Sequence, residues 1–424
     1  MKKTLLTASA IISTLTFSSA AFAEITLIKA GRFIDVLSGD VLTDQTIIVE
    51  DNRIAQVGGD LSVPDGAVVI DLSDATVMPG LIDAHVHLVG ADIWGYDAFS
   101  ISWGREAIYG VVNAKKTLMA GFTTVRNVGA PNYADMALRD AINDGDVPGP
   151  RMQVAGPSLG ITGGHCDYNM LPPRYKDVAQ GIADGPWAVR AKVRENIKYG
   201  ADLIKFCATG GVFSKGTKVG AQQYTFEEMK AIVNEAHMAG RKVAAHAHGT
   251  EGIKTAIRAG VDSIEHASFL DDEALELAKE MGTTFSMDIY NDDFILSIGE
   301  SYGMTEESLD KERQVGLAQR QNFQKAVKFG AKIAYGTDAG VYPHGDNGKQ
   351  MAKMVEWGMT PMQAIQTATI KTATLLGMEK EVGALSGGYF ADIIAIKYGD
   401  PLQDQKLFEE ISFIMKDGKV YKNK

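Results

Sequence analysis

Cysteine is scarce in this chain, with Cys166 and Cys207 the two among 424 residues. So few exclude a disulfide framework, and with no CxxC pair a structural zinc site is excluded as well. One bridge between them stays open if the chain meets an oxidising compartment. Long apolar runs are missing too: past the first residues, no segment has the roughly 20 uncharged apolar residues that cross a bilayer. Positive charge is in short supply. Against 53 acids stand 42 lysines and arginines, a formal net charge of −11, which argues against nucleic-acid partners and docking on anionic lipid. Disorder is excluded, because 45% hydrophobic and 22% charged residues are ordinary for a globular enzyme.

The one apolar stretch sits at the start. Met1-Lys2-Lys3 is basic, Leu5 to Phe17 is mostly apolar, and Ala21-Phe22-Ala23 is an A-x-A cleavage site. These are the parts of a secretory signal peptide, too short and wrongly flanked for a membrane anchor. No cysteine follows to carry a lipid. Residues 1–23 are therefore expected to direct export to the periplasm or beyond and then leave. The two lysines lost with them would take the charge from −11 to −13.

Glycine is plentiful, and 45 of them punctuate a repeat. From about Val77 to Gly377 an amphipathic helix, a glycine and a short β-rich run recur, as at Gly121, Gly200, Gly240, Gly260, Gly282 and Gly330. Glycine suits the left-handed residue that closes a helix. With Val77–His87 and Arg151–Ala155 the β-rich runs number eight. Alternating strands and helices predict an α/β fold with a parallel sheet, and eight units predict closure into a (β/α)8 TIM barrel rather than a doubly wound open sheet. Residues 24–72 and 381–424 are rich in Val, Ile and turn signals. Each is too small to bury a core alone, so the two are expected to pair as one small β-sandwich beside a barrel spanning 73–380. The long runs Leu159–Gly185 and Ile289–Asp310 read as loops of the lid kind.

Of only eight histidines, five fall at predicted strand ends, the face that carries active sites in such barrels. Strand 1 ends Asp83-Ala84-His85-Val86-His87. Positions i and i+2 of a strand share a side, so His85 and His87 can grip one metal ion. Strand 4 carries Lys205 amid apolar residues. A buried amine needs a partner or neutralisation, and a carbamate bridging two ions or a salt bridge would each provide it. His246 and His248 on strand 5, His266 on strand 6 and Asp338 on strand 8 complete a set of zinc-type ligands.

This pattern resembles the amidohydrolase superfamily: an HxH on strand 1, a Lys on strand 4, a His on each of strands 5 and 6, an Asp on strand 8. Met78-Pro79-Gly80-Leu81-Ile82-Asp83, the Gly121-to-Arg126 run and the doubled strand-5 histidine are similar to its branch of imidazolonepropionase-like proteins and Xaa-Pro dipeptidases. The resemblance implies two divalent ions, zinc above all, with His85, His87 and Asp338 on the buried one and His246 and His266 on the other. Lys205 would bridge them as N6-carboxylysine, leaving His248 outside the ligand set or facing substrate. It implies amide hydrolysis with Asp338 as base and then acid. His165, in the glycine-rich strand-3 loop, Tyr224 and Arg126 are candidate substrate contacts, each with a purely structural alternative. His237 reads as a surface residue and His344 as a loop residue near the mouth. The expected substrate is a dipeptide or N-acyl amino acid. A cyclic amide or amidine and a non-catalytic metal-binding role are the alternatives, and a homo-oligomer is left open.

Overall fold

The computed structural model describes residues 24–90 and 93–424; the leader expected at 1–23 lies outside the described residues. The chain begins with four strands, β1 (Ile25–Asp35), β2 (Asp40–Glu50), β3 (Arg53–Gly58) and β4 (Val68–Pro79). Alternation sets their inner face: Ile28 and Ala30 of β1 and Ile47 and Val49 of β2 are buried together. The run Val77–His87, which reads as a single strand, is two. It breaks at Gly80, where a Cβ would collide with the Thr123 side chain, and the chain passes there from one sheet into the next.

Eight parallel strands follow: β5 (Leu81–Val86), β6 (Phe122–Asn127), β7 (Arg151–Val154), β8 (Leu203–Cys207), β9 (Lys242–Ala247), β10 (Ser263–His266), β11 (Thr284–Ser286) and β12 (Ile333–Ala334). They pair as β5-β6-β7 and as β8 through β12. Backbone hydrogen bonds close both seams. Leu159 N donates to Lys205 O at 2.8 Å and Cys207 N to Leu159 O at 2.9 Å. On the other side, Ala84 N donates to Tyr335 O and Asp338 N to His85 O, both at 2.7 Å. The result is the (β/α)8 barrel.

Helices cover its outside: α1 (Trp103–Met119), α2 (Ala134–Asn143), α3 (Pro186–Lys198), α4 (Phe226–Met238), α5 (Thr250–Ala259), α6 (Asp272–Met281), α7 (Asn291–Ile298) and α8 (Glu306–Phe329). Thr225 and Glu228 form the expected capping box of α4. Gly330, at φ +77°, closes α8 in the left-handed conformation. The stretch Ile289–Asp310 is not a loop, because it holds α7 and the first turn of α8, whose Thr305 cap accepts from Ser308 N. Among the described residues no helix is long and apolar enough to cross a membrane.

The C-terminal strands β13 (Ile393–Ile396), β14 (Phe413–Lys416) and β15 (Lys419–Asn423) return to the first sheet. Its order is β15-β14-β13-β4-β1-β2-β3, so both chain ends build one seven-stranded sheet. Ile54 N donates to Tyr389 O at 2.9 Å and Gly388 N to Ile54 O at 2.8 Å. These bonds bring the β3 edge back against the segment leading into β13, around a core that includes Phe33, Ile47, Ile393 and Phe413. Arg151 of β7 ties the barrel to this sheet through Asp417 (2.6 Å) and Asp392 (3.3 Å).

Candidate active site

The C-terminal ends of the barrel strands surround a cavity of roughly 490 Å³. His85 on β5 and His87, one residue past its end, both turn into that cavity, in keeping with the strand period. His85 Nδ1 meets Glu265 Oε2 at 2.9 Å and its Nε2 meets Asp338 Oδ1 at 3.2 Å. An ionised carboxylate only accepts, so both ring nitrogens donate. Against burial and Lys205, Asp338 and Glu265 hold the imidazole above the usual histidine range. His266 repeats the outer contact, with Nδ1 on Asp288 Oδ1 at 2.8 Å. His87 Nδ1 lies 3.2 Å from Gly129 O, and its Nε2 lies 3.4 Å from Asp338 Oδ1.

The remaining imidazoles crowd against these. Ring centroids of His246 and His266 are 4.5 Å apart, and those of His246 and His248 are 4.7 Å apart. His248 Nδ1 bonds Ser268 Oγ at 2.8 Å, whereas His246 Nε2 is buried without a hydrogen-bond partner among the described residues. Donor atoms of His246, His248 and His266 lie within 4.8 Å of one another, as do those of His85, His266 and Asp338. Both triplets have the composition of a divalent-metal site, and they share His266. Lys205 is buried and also lines the cavity. Among the described residues no carboxylate forms an ion pair with it, so the salt-bridged alternative for this lysine is not what the fold builds.

Electrostatics match that use. Burial, followed by the neighbouring imidazoles, holds His246 and His248 well below the usual histidine range, and a neutral ring is the form that ligates. Burial alone would raise Asp338, but His85 and His87 outweigh it and keep the carboxylate ionised. Burial lowers Lys205 against the pull of Glu265 and Asp338. His266 (φ +71°), Ala267 (φ +52°) and Asp338 (φ +56°) all hold left-handed backbone, which costs of order 1–3 kcal/mol each and clusters at functional sites.

Comparison with known proteins agrees with this geometry. The sequence model of the Amidohydrolase family matches residues 76–422. The chain belongs to that family. It is 34% identical to ochratoxinase of Aspergillus niger over 435 residues, spanning 96% of this chain and 89% of that one. A crystal structure described as a Xaa-Pro dipeptidase with bound methionine in the active site superposes with a TM-score of 0.88 at 40% identity, covering 94% of this chain and all of the other. A prolidase structure complexed with N-methylphosphonate-L-proline gives 0.87 at 29% identity, covering 94% and 100%. The protein is thus a metal-binding hydrolase acting on carbon–nitrogen bonds.

In this amidohydrolase the other sequence-chosen residues divide sharply. His165 is in the cavity, stacked on His246 at 4.2 Å with Nδ1 on Ser214 Oγ at 3.0 Å. Burial, then His266 and Lys205, push it down to about 3. Its neighbour Cys166 is disulfide-bonded to Cys207, with the Cα atoms 6.0 Å apart. That bridge, left open by the sequence, clamps the strand-3 loop to β8 two residues past Lys205. Arg126 does not line the cavity. Its Nε donates to Ala84 O (2.6 Å), Nη1 to Ser263 Oγ (3.0 Å) and Nη2 to Glu265 Oε1 (2.7 Å), all inside the barrel beneath the histidines. Tyr224 does not line the cavity either: it is wholly buried in the apolar core and donates to Ala183 O at 3.0 Å. His237 is at the surface, paired with Asp262. His344 is buried at the mouth, its Nε2 on His87 O at 3.0 Å.

Several residues with a part in the site escaped sequence reasoning. Glu265 orients His85 and neutralises Arg126, and a carboxylate inside an otherwise small or apolar strand was the available signal. Asp288 orients His266. Asn291 Nδ2 donates to Asp288 Oδ2 at 2.5 Å and reaches Asp338 Oδ2 at 3.4 Å. Gln319 on α8 donates to Asp288 Oδ1 at 2.7 Å and to His266 O at 3.1 Å. Nothing local in the sequence links a helix residue 53 positions away to His266. Asp83 lies one layer below, accepting from the His85 and Thr337 amides at 3.1 Å each, and from Thr337 Oγ1 and Asn347. Burial pushes its carboxyl up to about 6 despite these bonds.

Proposed function

We propose that this amidohydrolase cleaves the amide bond of a dipeptide or N-acyl amino acid outside the cytoplasm, with two divalent ions at the barrel mouth. The reading is carried by the two donor triplets that share His266, with the unpaired Lys205 lining the same cavity. The residues suit ions: His246 keeps a buried nitrogen without a partner, and carboxylates fix the outer nitrogens of His85 and His266. His85, His87 and Asp338 would hold one ion and His246 and His266 the other, with Lys205 bridging as N6-carboxylysine. Zn2+ matches imidazole and carboxylate donors. Bound there, such ions lower the pKa of water and polarise a carbonyl.

The chain's own groups supply the rest. Asp338, kept ionised by His85 and His87, takes the proton of the attacking water and returns it to the leaving nitrogen. Asn291, between Asp288 and Asp338, steadies the second carboxylate oxygen. His165 and His248 face the cavity beside His246 and offer hydrogen bonds to a substrate carbonyl or carboxylate. Trp94 stacked on Phe213 at 4.3 Å makes an apolar wall above them, a seat for a hydrophobic side chain. The dipeptidase and prolidase relatives favour a short peptide. Export agrees with the leader-like residues 1–23 and with a disulfide, which persists in oxidising compartments.

The test is a panel of dipeptides and N-acyl amino acids, assayed with zinc-loaded enzyme in bicarbonate, alongside metal analysis. Release of free amino acid with about two ions per chain is the expected result. Turnover confined to cyclic amides or amidines would overturn the substrate assignment.

A further inference from the structure

Glu312 has no part in any contact described so far. It lies on the cavity-lining side of α8 with Val315 and Gln319, a spacing of three and seven residues that keeps all three on one helix face. Gln319 marks the histidine end of that face, through its bonds to Asp288 and His266 O. Glu312 lies about 10 Å further along the helix, at 1.5 Å per residue. It is 3% exposed, and among the described residues it makes no hydrogen bond or ion pair.

Its cationic neighbours on α8 are committed elsewhere. Lys311 Nζ donates to Ser214 O at 2.6 Å and pairs with Glu307 at 2.8 Å. Arg320 spans Asp292 and Asp293 of α7, each at 2.9 Å. Gly316 makes that packing tight, since a Cβ there would strike the Asp292 carboxylate. The two helices are therefore pressed together, with Asp292 directed to Arg320 rather than to the cavity. A buried carboxylate with no partner is costly. On the wall of a substrate cavity, the missing partner is one that a ligand can bring.

We propose that Glu312 anchors a positively charged nitrogen of the substrate, so that the cavity selects amides carrying an ammonium group over N-acyl compounds that lack one. The inference rests on the reading of this cavity as the substrate site. It deepens that reading by dividing the dipeptides from the N-acyl amino acids. The nitrogen is either the free amino terminus or a basic side chain, and both present the same chemistry to a carboxylate. Burial, then Asp292 of α7 and Asp288 between β11 and α7, push the Glu312 carboxyl up to about 8, with Arg320 opposing and Asp338 across the cavity adding to the rise. A bound cation would stabilise the ionised form and release a proton.

Three probes separate the sources: Leu-Phe carries only an α-ammonium, N-acetyl-Lys-Phe only a basic side chain, and N-acetyl-Leu-Phe neither. Calorimetric titration in the Asp338→Asn background, with and without Glu312→Gln or Glu312→Asp, reads binding without turnover. One of the two cationic probes is expected to bind at least about tenfold tighter than N-acetyl-Leu-Phe, and that probe names the source. Glu312→Gln should reduce the ratio to within about threefold, and Glu312→Asp should keep part of it. Equal binding of all three, binding of none, or a preference that survives Glu312→Gln overturns the proposal. Thermal unfolding of each variant separates loss of selectivity from loss of fold. Hydrolysis of the same probes by the unsubstituted enzyme is scored separately. Selective binding without turnover sinks the amide-hydrolase reading alone, and turnover without selectivity sinks the role of Glu312 alone.

Discussion

The barrel mouth and the terminal sheet are both buried, yet they are built from opposite materials. Around Phe33, Ile47, Ile393 and Phe413 the sheet encloses apolar side chains with almost no exposed area. Burying them contributes roughly 25 cal/mol per Å2 and asks for no particular partner. The mouth buries Asp83, His85, Arg126, Lys205, Glu265 and Asp338 to a similar degree. Desolvating charges is unfavourable unless each is paired, and nearly every one here has a named partner within 3.4 Å. Lys205, one nitrogen of His246 and the Glu312 carboxyl are left over; the first two are expected to meet ions and the third a substrate cation. A region that were only stabilising would look like the sheet; the mouth tolerates strain and desolvation because its arrangement serves the reaction.

Substitutions should break the comparison on one side at a time. The largest effect is expected for Asp338→Asn, which removes the base and weakens one proposed ion site, and lowers kcat by at least about 10²–10⁴-fold, the span of a lost general base. Steady-state kinetics with elemental analysis checks this, and near-normal turnover would remove Asp338 from the mechanism. Next, Arg126→Met strands Glu265 in the interior and should cost about 3–5 kcal/mol in urea unfolding. Adding Glu265→Gln should recover part of that loss, because the stranded charge goes with it. Third, replacing both Cys166 and Cys207 by Ser frees a 41-residue separation. It should lower stability by about 2–4 kcal/mol and raise KM, since His165 is the neighbouring residue.

A pH test addresses the mouth without touching a proposed ligand. The Glu312 carboxyl sits at about 8 in the folded protein, above its ordinary value of 4.5. Between those values the folded chain keeps a proton that the unfolded chain has lost. Its contribution is therefore whole at low pH and declines as pH rises through 8. In the metal-free protein, the Tm of Glu312→Gln should fall less between pH 5 and 8 than that of the unsubstituted chain, and parallel curves would contradict this. The smallest effect belongs to the sheet. Ile393→Val should cost about 0.5–1.5 kcal/mol with kcat/KM unchanged, marking that region as support rather than chemistry.

Patterns of short range were enough for the architecture and for picking out candidate ligands that line one cavity. Strand alternation puts His85 and His87 on one side, glycines after helices count out eight units, and an amine among apolar strand residues singles out Lys205. These depend on backbone geometry within a few residues, which is why they could be read along the chain. What the tertiary structure alone decided lies in contacts between distant segments. It turned Arg126 inward to Glu265, 139 positions away, and sank Tyr224 into the core. It closed Cys166 onto Cys207, brought Gln319 and Asp288 behind His266, and left Glu312 facing the cavity with no partner. Each outcome depends on which segments the closing barrel brings together. Burial then sets the role, because away from water a polar group is governed by the particular atom that faces it.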